Sequence, residues 1–375
     1  MRSNFSYNRR QLLPLATVFF LSPALRLVPS GTAELAGRAA WVSVPAALPM
    51  LLLYMFFLSR FLARRHEGES LAELSLRALG PRLGRAVLFI LALWFLVYGG
   101  FMLRSGAVRI ITTIYPNSSP ELFIISMGLL GLYAALGAER TLVRSAKIIK
   151  PAVIAVLILV LSFSLVSVQR ENLLPLTVFD AAGTFKGSLA SLGVACVSVY
   201  MCFFLGGLEC DSKDFFRDLA LWSLATLGLL FWLNTAIIGS FGAELTTRLS
   251  QPFFALIRNL VFFRSLERVE ALVVSLWIFS DFILISLCLQ AAQRSLRRTL
   301  GFDADYTGQS LTDLGSGRFL IWLCGISAIV FGCLIAREPE SLEFWSRQLI
   351  PGVNLTVALL VLPCIYIIGR LRNRI

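Results

Sequence analysis

Apolar runs of about 20 residues recur from one end of the chain to the other, and they constrain the fold more than any other feature. A helix of that length crosses the hydrocarbon core of a bilayer, which is about 30 Å thick. Because lipid offers no hydrogen-bond partner to backbone amides, such runs cross as helices. Hydrophobic residues make up 57% of the 375 residues, charged residues make up 15%, and the mean hydropathy is +0.78. This composition excludes a water-soluble globular fold.

The pattern predicts an all-α polytopic membrane protein with about ten transmembrane helices. Loops between the runs are short, so residues 1–375 are predicted to form a single transmembrane domain. The predicted spans are residues 11–29, 39–59, 86–110, 121–138, 148–168, 188–208, 217–240, 269–290, 319–336 and 349–369.

The distribution of Lys and Arg predicts the orientation of these spans. When the loops are assigned alternately to the two sides of the membrane, the side that carries the N-terminus holds most of the basic residues. That side includes Arg9 and Arg10 before the first span and Arg370, Arg372 and Arg374 after the tenth. Cytoplasmic loops are the ones enriched in Lys and Arg, so both termini are predicted to be cytoplasmic.

Several function classes are excluded by what the chain lacks. The net charge of +12 is spread over short loops and forms no basic domain, so no nucleic-acid partner is expected. His66 is the one histidine, and the chain has no phosphate-binding glycine loop and no nucleophile–base motif. We therefore predict no enzyme activity, no catalytic residue and no cofactor. The cysteines lack metal-ligand spacing and are interpreted as helix-packing residues: Cys196, Cys202, Cys210, Cys288, Cys324, Cys333 and Cys364.

The first span is interrupted by prolines, since Pro23 and Pro29 bracket Arg26. A proline inside a helix removes a backbone hydrogen bond, so we expect helix 1 to be discontinuous here. Irregular backbone at membrane depth is tolerated where it lines a cavity. Arg26 has three possible roles: binding a ligand carboxylate, pairing with Glu34, or reaching the membrane surface. The predicted ligand-binding residues of this span are Ser22, Pro23, Ala24 and Arg26.

The sixth span is interrupted by Gly206 and Gly207, which Glu209 follows closely. Breaks in spans one and six are expected when two five-helix halves repeat, here about residues 11–168 and 188–369. Unwound segments expose amides and carbonyls, and half-helix ends carry partial charges that suit a zwitterion. An amino acid is the natural ligand for such a site, and both glycines are predicted to contact it.

Ionisable residues inside the predicted spans are treated as functional candidates. Asp281 lies near the middle of the eighth span, either as a cation or proton site helped by Ser280 or as the structural partner of a buried arginine. Arg104 is expected to face the cavity or to pair with Asp281 or Glu209. Arg109 lies nearer the outer end of its span and is expected to reach the headgroups. The ion or proton candidates are therefore Asp281, Glu209 and Arg104.

Three further residues complete the predicted cavity wall, namely Tyr98, Gly99 and Tyr200. The alternative for each tyrosine is an aromatic side chain packed between helices, which is the more common role in membrane-embedded helices. Between the seventh and eighth spans, residues 252–264 carry apolar side chains nearly all round with two arginines. This segment is too short to cross the membrane and is expected to lie along its outer surface.

A family resemblance rests mainly on the segment before the eighth span, Leu266-Glu267-Arg268-Val269-Glu270-Ala271-Leu272 followed by Trp277. This segment resembles the GerAB family, the B subunits of bacterial spore germinant receptors, also called endospore germination permeases. Supporting matches occur in family order along nearly the whole chain: Gln11, Trp41-Val42-Ser43, Ser70-Leu71-Ala72-Glu73, Leu79-Gly80 and Asn172-Leu173-Leu174-Pro175.

The resemblance implies the amino acid/polyamine/organocation (LeuT-like) transporter fold, with its five-plus-five inverted repeat and discontinuous helices 1 and 6. It also implies a place in the spore inner membrane and receptor A and C subunits as partners. The expected role is sensing of a small-molecule germinant, such as an amino acid, to trigger germination. The alternative is an amino-acid permease coupled to protons or sodium through Asp281.

Overall fold

The computed structural model describes residues 9–66, 68–207, 215–260, 269–301 and 315–374, and within these residues the regular structure is helical throughout. A 3₁₀ turn, Gly37–Ala39, separates the first two helices, and a 3₁₀ helix, Cys196–Gly207, follows α8. The helices are α1 Arg9–Ala36, α2 Ala40–Ala46, α3 Leu48–Leu62, α4 Leu71–Leu79, α5 Pro81–Thr113, α6 Pro120–Ala135, α7 Glu139–Ser164, α8 Asp180–Ala195, α9 Phe215–Arg248, α10 Pro252–Asn259, α11 Val269–Leu300, α12 Gly315–Leu334 and α13 Pro339–Leu371, the last with two π-helical turns.

Helix α1 and the α2–α3 pair cross in opposite directions, as their contacts with α9 show. Near the start of α9, Trp222 Nε1 donates to Thr17 Oγ1 of α1. Further along α9, Asn234 Nδ2 donates to Thr32 Oγ1 of α1. Along α2–α3 the order is reversed. Trp41 of α2 packs on Phe231 in the middle of α9, and Phe56 of α3, later in the chain, packs on Phe216 at the start of α9. The chain therefore reverses at Gly37–Ala39, where Gly37 has φ +54°.

The predicted number of spans agrees with these helices. Eight helical stretches in the described residues are long and apolar enough to cross a membrane. The first of them, Leu13–Leu62, contains the two antiparallel crossings, and the apolar helix α6 is too short to be among the eight. When that first stretch is counted as two, the described chain contains nine crossings and the shorter apolar helix α6, which agrees with the prediction of about ten.

Helix α1 is the centre of the bundle, and it corrects one prediction. It is an unbroken α-helix from Arg9 to Ala36 although it contains Pro14, Pro23 and Pro29. The prolines leave carbonyls without backbone donors, but neighbouring helices can enclose such a turn and keep it helical. Residues 14–33 are buried in protein along nearly their whole length. The prediction that helix 1 is discontinuous is therefore wrong, while its central position is as expected.

The sixth crossing changes its helix type, but earlier than predicted. The α-helical part ends at Ala195, and the next turns, Cys196–Gly207, wind as a 3₁₀ helix of 12 residues. Runs of 3₁₀ helix beyond three or four residues are uncommon and mark hinges or strained sequences. The change of helix type thus lies at Cys196, ten residues before the predicted break at Gly206 and Gly207. Gly207 is the last described residue of this helix, and the predicted break adjoins residues 208–214, which lie outside the described chain.

The segment after α9 also differs from its prediction. Residues Pro252–Asn259 form helix α10 as an apolar helix, but its apolar side faces protein and not the membrane surface. Phe253 is 1% exposed and packs on Trp277 of α11 with ring centroids 5.6 Å apart. The prediction of an interfacial helix is therefore wrong for this stretch; residues 261–264 lie outside the described chain.

Candidate functional site

A cavity of about 210 Å³ opens between α1, α5 and the start of α13. Its rim carries the exposed residues Arg337 and Glu338, and its inner end reaches the buried residues Arg26 and Ser346. The lining residues are Arg26, Ser30, Val108, Thr112, Leu249, Ser250, Ala336, Arg337, Glu338, Pro339, Leu342, Glu343, Ser346 and Arg347. Charged and polar groups thus run from one face of the bundle to its interior.

Arg26 forms the inner end of this cavity and is 8% exposed. Its guanidinium donates through Nη1 to Ser105 Oγ and through Nη2 to Ser346 Oγ, the latter at 2.8 Å. It also lies 5.7 Å from the ring centroid of Phe101. All of these partners are uncharged. Of the three roles considered for Arg26, pairing with Glu34 does not occur, since the Glu34 carboxylate contacts Arg347 at 3.1 Å.

Asp281 of α11 lies deeper, beyond Arg26, and is completely buried. One carboxylate oxygen, Oδ1, accepts from the Ser22 hydroxyl of α1, and the other, Oδ2, accepts from Arg109 Nη1 of α5 at 2.8 Å. Helix α5 approaches closely here, because a Cβ at Gly106 would lie 3.4 Å from Oδ2. Each carboxylate oxygen therefore has a donor.

Arg109 is 2% exposed, so the expectation that it reaches the headgroups is wrong. Besides its ion pair with Asp281, its guanidinium lies 5.8 Å from the ring centroid of Phe254 in α10. The side chain is directed inward because a buried carboxylate and an aromatic face both lie within its reach, whereas α10 covers this part of the bundle. Asp281 is thus the ion-pair partner of a buried arginine in this structure.

The cluster carries an excess of positive charge. Two guanidinium groups, Arg26 and Arg109, lie beside one carboxylate, Asp281, and all three are nearly or fully buried. Asp281 pairs with Arg109, which leaves Arg26 with serine hydroxyls as its side-chain hydrogen-bond partners among the described residues, while the carboxylates of Asp281 and Glu343 act on its charge without contacting it. A buried charge without a contacting counterion is costly unless an ion or ligand compensates for it. The geometry therefore leaves a position at Arg26 suited to an anion.

Tyr98 and Tyr200 belong to a second cluster and not to the lining of the cavity. Tyr200 Oη accepts from Trp94 Nε1 at 2.7 Å and donates to Asn354 Oδ1 at 2.8 Å. The Tyr98 and Tyr200 rings are 6.3 Å apart, and Tyr98 Oη has no hydrogen-bond partner among the described residues. These side chains connect α5, the 3₁₀ helix and α13, which makes them packed aromatics between helices.

The remaining candidates of the first span and the glycines are distributed as follows. Pro23 and Ala24 are buried in α1, next to Ser22. Gly99 lies at a helix contact, because a Cβ there would be 3.6 Å from Cys288 Cβ of α11. Gly206 is buried in the 3₁₀ helix and is not among the residues that line the cavity, and Gly207 is the last described residue of that helix.

Of the ion and proton candidates, Arg104 lies apart from Asp281. Its Nη2 donates to the carbonyl of Arg337 at 3.0 Å, and its Nη1 lies 3.5 Å from Glu121 Oε1. It thus bonds to the chain just after α12 and does not pair with Asp281. Ser280 is fully buried, and its hydroxyl has no partner among the described residues. Glu209 lies outside the described chain.

Several residues of the site had no signal in the sequence. Ser105 and Ser346 are ordinary serines in apolar helices, and they are brought to Arg26 only by the packing of α5 and α13. At the rim, Arg347 lies 3.1 Å from Glu34 and 3.3 Å from Glu343, which ties the end of α1 to α13. The second of these pairs is predictable from the sequence, because Glu343 and Arg347 are four residues apart and such residues lie side by side on a helix.

The side chains that line the cavity suit the binding of a ligand. The described residues contain no cluster of three or more metal-ligating side chains, and the cysteines among them are free thiols. Arginines, serines and carboxylates around a small cavity suit recognition of a charged small molecule.

The bundle of apolar crossings defines the class as a multi-pass membrane protein. Solved structures support the fold: Mhp1, a nucleobase-cation-symport-1 family transporter in a closed conformation with bromovinylhydantoin bound, is similar with a TM-score of 0.60. The similarity covers 98% of this chain and 84% of Mhp1 at 14% sequence identity. The all-α LeuT-like fold predicted from the sequence is thereby confirmed.

The family follows from the sequence comparison. Residues 8–338 match the family described as spore germination protein, so the chain belongs to the spore germination protein family. This confirms the resemblance found in the sequence, and it agrees with a permease or germinant-sensing role and not with that of an enzyme family. No curated protein matches the chain.

Proposed function

We propose that this protein is the B subunit of a spore germinant receptor that binds an amino acid or similar small molecule in the cavity and so triggers germination. The observation that carries the proposal is the buried Arg26, which ends the cavity and has only serine hydroxyls as hydrogen-bond partners among the described residues. A ligand carboxylate would supply a negative charge in direct contact with Arg26, and an arginine–carboxylate pair is strong because two parallel hydrogen bonds can form.

The size and the rim of the cavity suit a small zwitterion. A volume of 210 Å³ corresponds to the liquid volume of about seven water molecules, which is room for a ligand of modest size. Two carboxylates, Glu338 and Glu343, line the same cavity nearer its rim. A ligand with its carboxylate at Arg26 would therefore direct its ammonium group towards acidic side chains.

Binding would act by shifting a conformational equilibrium. The cavity is bounded by α1, α5 and α13, and Arg347 ties α1 to α13 at the rim. A ligand that bridges Arg26 and the rim would favour the arrangement in which these helices are close, to the extent that it binds this state better than the open one. This change would be the signal passed to the receptor A and C subunits.

The test is thermal unfolding of the purified protein in a panel of amino acids, each beside the matching primary amine without a carboxylate. An amino acid that binds should raise the unfolding temperature saturably, as mass action requires, and its amine should not. Arg26→Met should lower the affinity at least about tenfold, since a charge-assisted hydrogen bond is worth roughly 1.5–3 kcal/mol.

Arg297→Met is the matched control, because Arg297 is also buried, at 5% exposure, and lies on α11 about 24 Å along the helix axis from Asp281. It should retain the wild-type affinity. Equal stabilisation by amines and amino acids, or wild-type affinity in Arg26→Met, would contradict the proposal.

The second candidate function is an amino-acid permease, favoured by the similarity of the fold to the transporter Mhp1. Uptake of a radiolabelled amino acid into liposomes that contain the purified protein distinguishes the two. Saturable uptake that Asp281→Asn abolishes would favour the permease. Binding without uptake would favour the sensor.

The partners and the location belong to the same proposal. We place the protein in the spore inner membrane with both termini cytoplasmic and with receptor A and C subunits bound to it. The concentration of Lys and Arg on the side of the termini supports this orientation. Isolation of the tagged protein from spore membranes with A and C subunits would support the assembly, and labelling of cysteines introduced near residue 374 from the outside would contradict the orientation.

A further inference from the structure

Asp281 lies among oxygen atoms of the kind that bind cations. Its carboxylate is fully buried, the Ser22 hydroxyl contacts one of its oxygens, and the neighbouring Ser280 hydroxyl has no partner among the described residues. The adjacent turn of α1 contains Pro23, which cannot donate to the carbonyl of Phe19, so that this oxygen lacks its usual helical donor. Hard cations prefer oxygen ligands of this kind.

The place beside the Asp281 carboxylate that a bound cation would take is nevertheless occupied by an arginine side chain of the protein. Arg109 Nη1 lies 2.8 Å from Asp281 Oδ2, and the arginine is 2% exposed. It comes from α5, whereas Asp281 belongs to α11, so it is part of the packed bundle and not a mobile surface group. Arg26 of α1 adds a second positive charge beside the cluster, and the carboxylate of Glu343 and the guanidinium of Arg347 lie beyond it at the cavity.

A further cation at Asp281 would lie within a few ångströms of the Arg109 guanidinium. Two like charges about 4 Å apart at an effective dielectric constant of about 20 repel strongly enough to weaken binding roughly a thousandfold. Asp281 has one negative charge, and Arg109 already neutralises it. A dissolved cation would gain nothing that the arginine does not already provide.

We propose that Arg109 is a built-in counter-cation for Asp281, so that this protein binds its ligand without a metal cation from solution such as Na⁺. The inference extends the proposed function, because it states what ligand binding requires. It also identifies Arg109 as a positioning residue, since the neutralised carboxylate holds α1 through Ser22 beside the cavity. Loss of the arginine would leave a buried carboxylate that needs a cation from solution.

The experiment measures cation binding without any ligand, so that it can fail separately from the proposed function. Thermal unfolding of the purified protein is compared in 300 mM NaCl and in 300 mM choline chloride. The wild type should unfold at the same temperature in both salts. Arg109→Met should unfold at a temperature at least about 2 °C higher in NaCl than in choline chloride, with a saturable dependence on Na⁺.

Two control variants define the cause. Arg109→Lys keeps a positive charge and should show no preference for NaCl. Arg109→Met combined with Asp281→Asn removes the carboxylate as well, and it should lose the Na⁺ effect of the single variant. With an amino acid that binds, the wild-type affinity should agree within about twofold between the two salts.

Two results would overturn the inference. The first is a wild-type protein that NaCl stabilises over choline chloride, because Asp281 would then accept a cation while Arg109 is present. The second is a folded Arg109→Met variant with no Na⁺ effect, because the arginine would then not be replacing a cation. The wild-type measurement needs no variant, so the inference stays testable if Arg109→Met is not inserted in the membrane.

Discussion

Two neighbouring glycines of α5 should respond in opposite ways to substitution by alanine. A Cβ at Gly100 would lie 2.8 Å from Phe331 Cβ and 2.9 Å from the carbonyl oxygen of Ala328, both on α12. Among the described residues, the atom nearest to a Cβ at Gly99 would be Cys288 Cβ at 3.6 Å, an ordinary contact. The backbones of α5 and α12 therefore cross closely at Gly100 and not at Gly99.

The size of the effect follows from these distances. Backbone atoms of α12 cannot rotate away, so Gly100→Ala must move one helix, and overpacking of this kind costs about 1–3 kcal/mol. Gly99→Ala should be neutral or should gain up to about 1 kcal/mol from the better helix propensity of alanine. Since each kcal/mol shifts the unfolding temperature by roughly 2–4 °C in a domain of about 200 residues, Gly100→Ala should unfold at least about 2 °C below Gly99→Ala.

The assay is thermal unfolding of both variants in detergent, followed by tryptophan fluorescence and by the recovery of a monodisperse peak after heating. Equal amounts of membrane-inserted protein before extraction provide the control. If Gly100→Ala unfolds at the same temperature as Gly99→Ala, the close crossing of α5 and α12 is wrong. The Gly99 variant also tests whether this residue touches ligand, since we expect it to bind normally.

Two further predictions concern ion pairs. Asp281→Asn and Arg109→Met should each lower the free energy of unfolding by about 3–5 kcal/mol because each leaves a buried charge unpaired, whereas the double variant should unfold close to the wild type; additive losses in a double-mutant cycle would contradict this. Outside the spans, burial raises the pKa of Glu73, but hydrogen bonds from Ser70 and the Arg298 guanidinium at 2.9 Å outweigh it and lower the pKa below its ordinary value. The wild type should therefore be more stable than Glu73→Gln, and this difference in stability should be fully present above the pKa of an unfolded glutamate, about 4.3. It should be lost as the pH falls through the lower pKa of the folded state, and a pH series of unfolding temperatures measures it. A difference that persists unchanged at the acid end would refute it.

The spans were predictable because lipid imposes one simple requirement on the chain. Apolar length alone located the crossings, although several helices extend beyond the predicted limits. Helix α7 begins at Glu139, while the apolar run suggested residue 148, and α11 continues to Leu300, ten residues past the predicted end. Hydropathy marks the part of a helix that suits lipid, whereas the backbone ladder continues wherever nothing interrupts it.

The interruptions were predicted with less success because proline and glycine have effects that depend on their surroundings. Pro23 and Pro29 do not break α1, which neighbouring helices enclose on nearly all sides. The 3₁₀ helix begins at Cys196, where the sequence contains neither residue type. At its far end the carbonyl of Phe203 accepts from Arg294 at 2.7 Å, a contact from another helix that the local sequence does not encode.

By itself the sequence determined that the chain crosses a membrane as about ten helices, that it resembles the germination permeases, and that Arg26 and Asp281 are unusual charges in apolar spans. Tertiary structure alone decided which partners those charges have. Arg109 and Asp281 are 172 residues apart, and Ser105 and Ser346 reach Arg26 from different helices. In an apolar span the sides that face lipid and protein have similar composition, so the rotation of each helix, and with it each charge pair, is set by packing between helices.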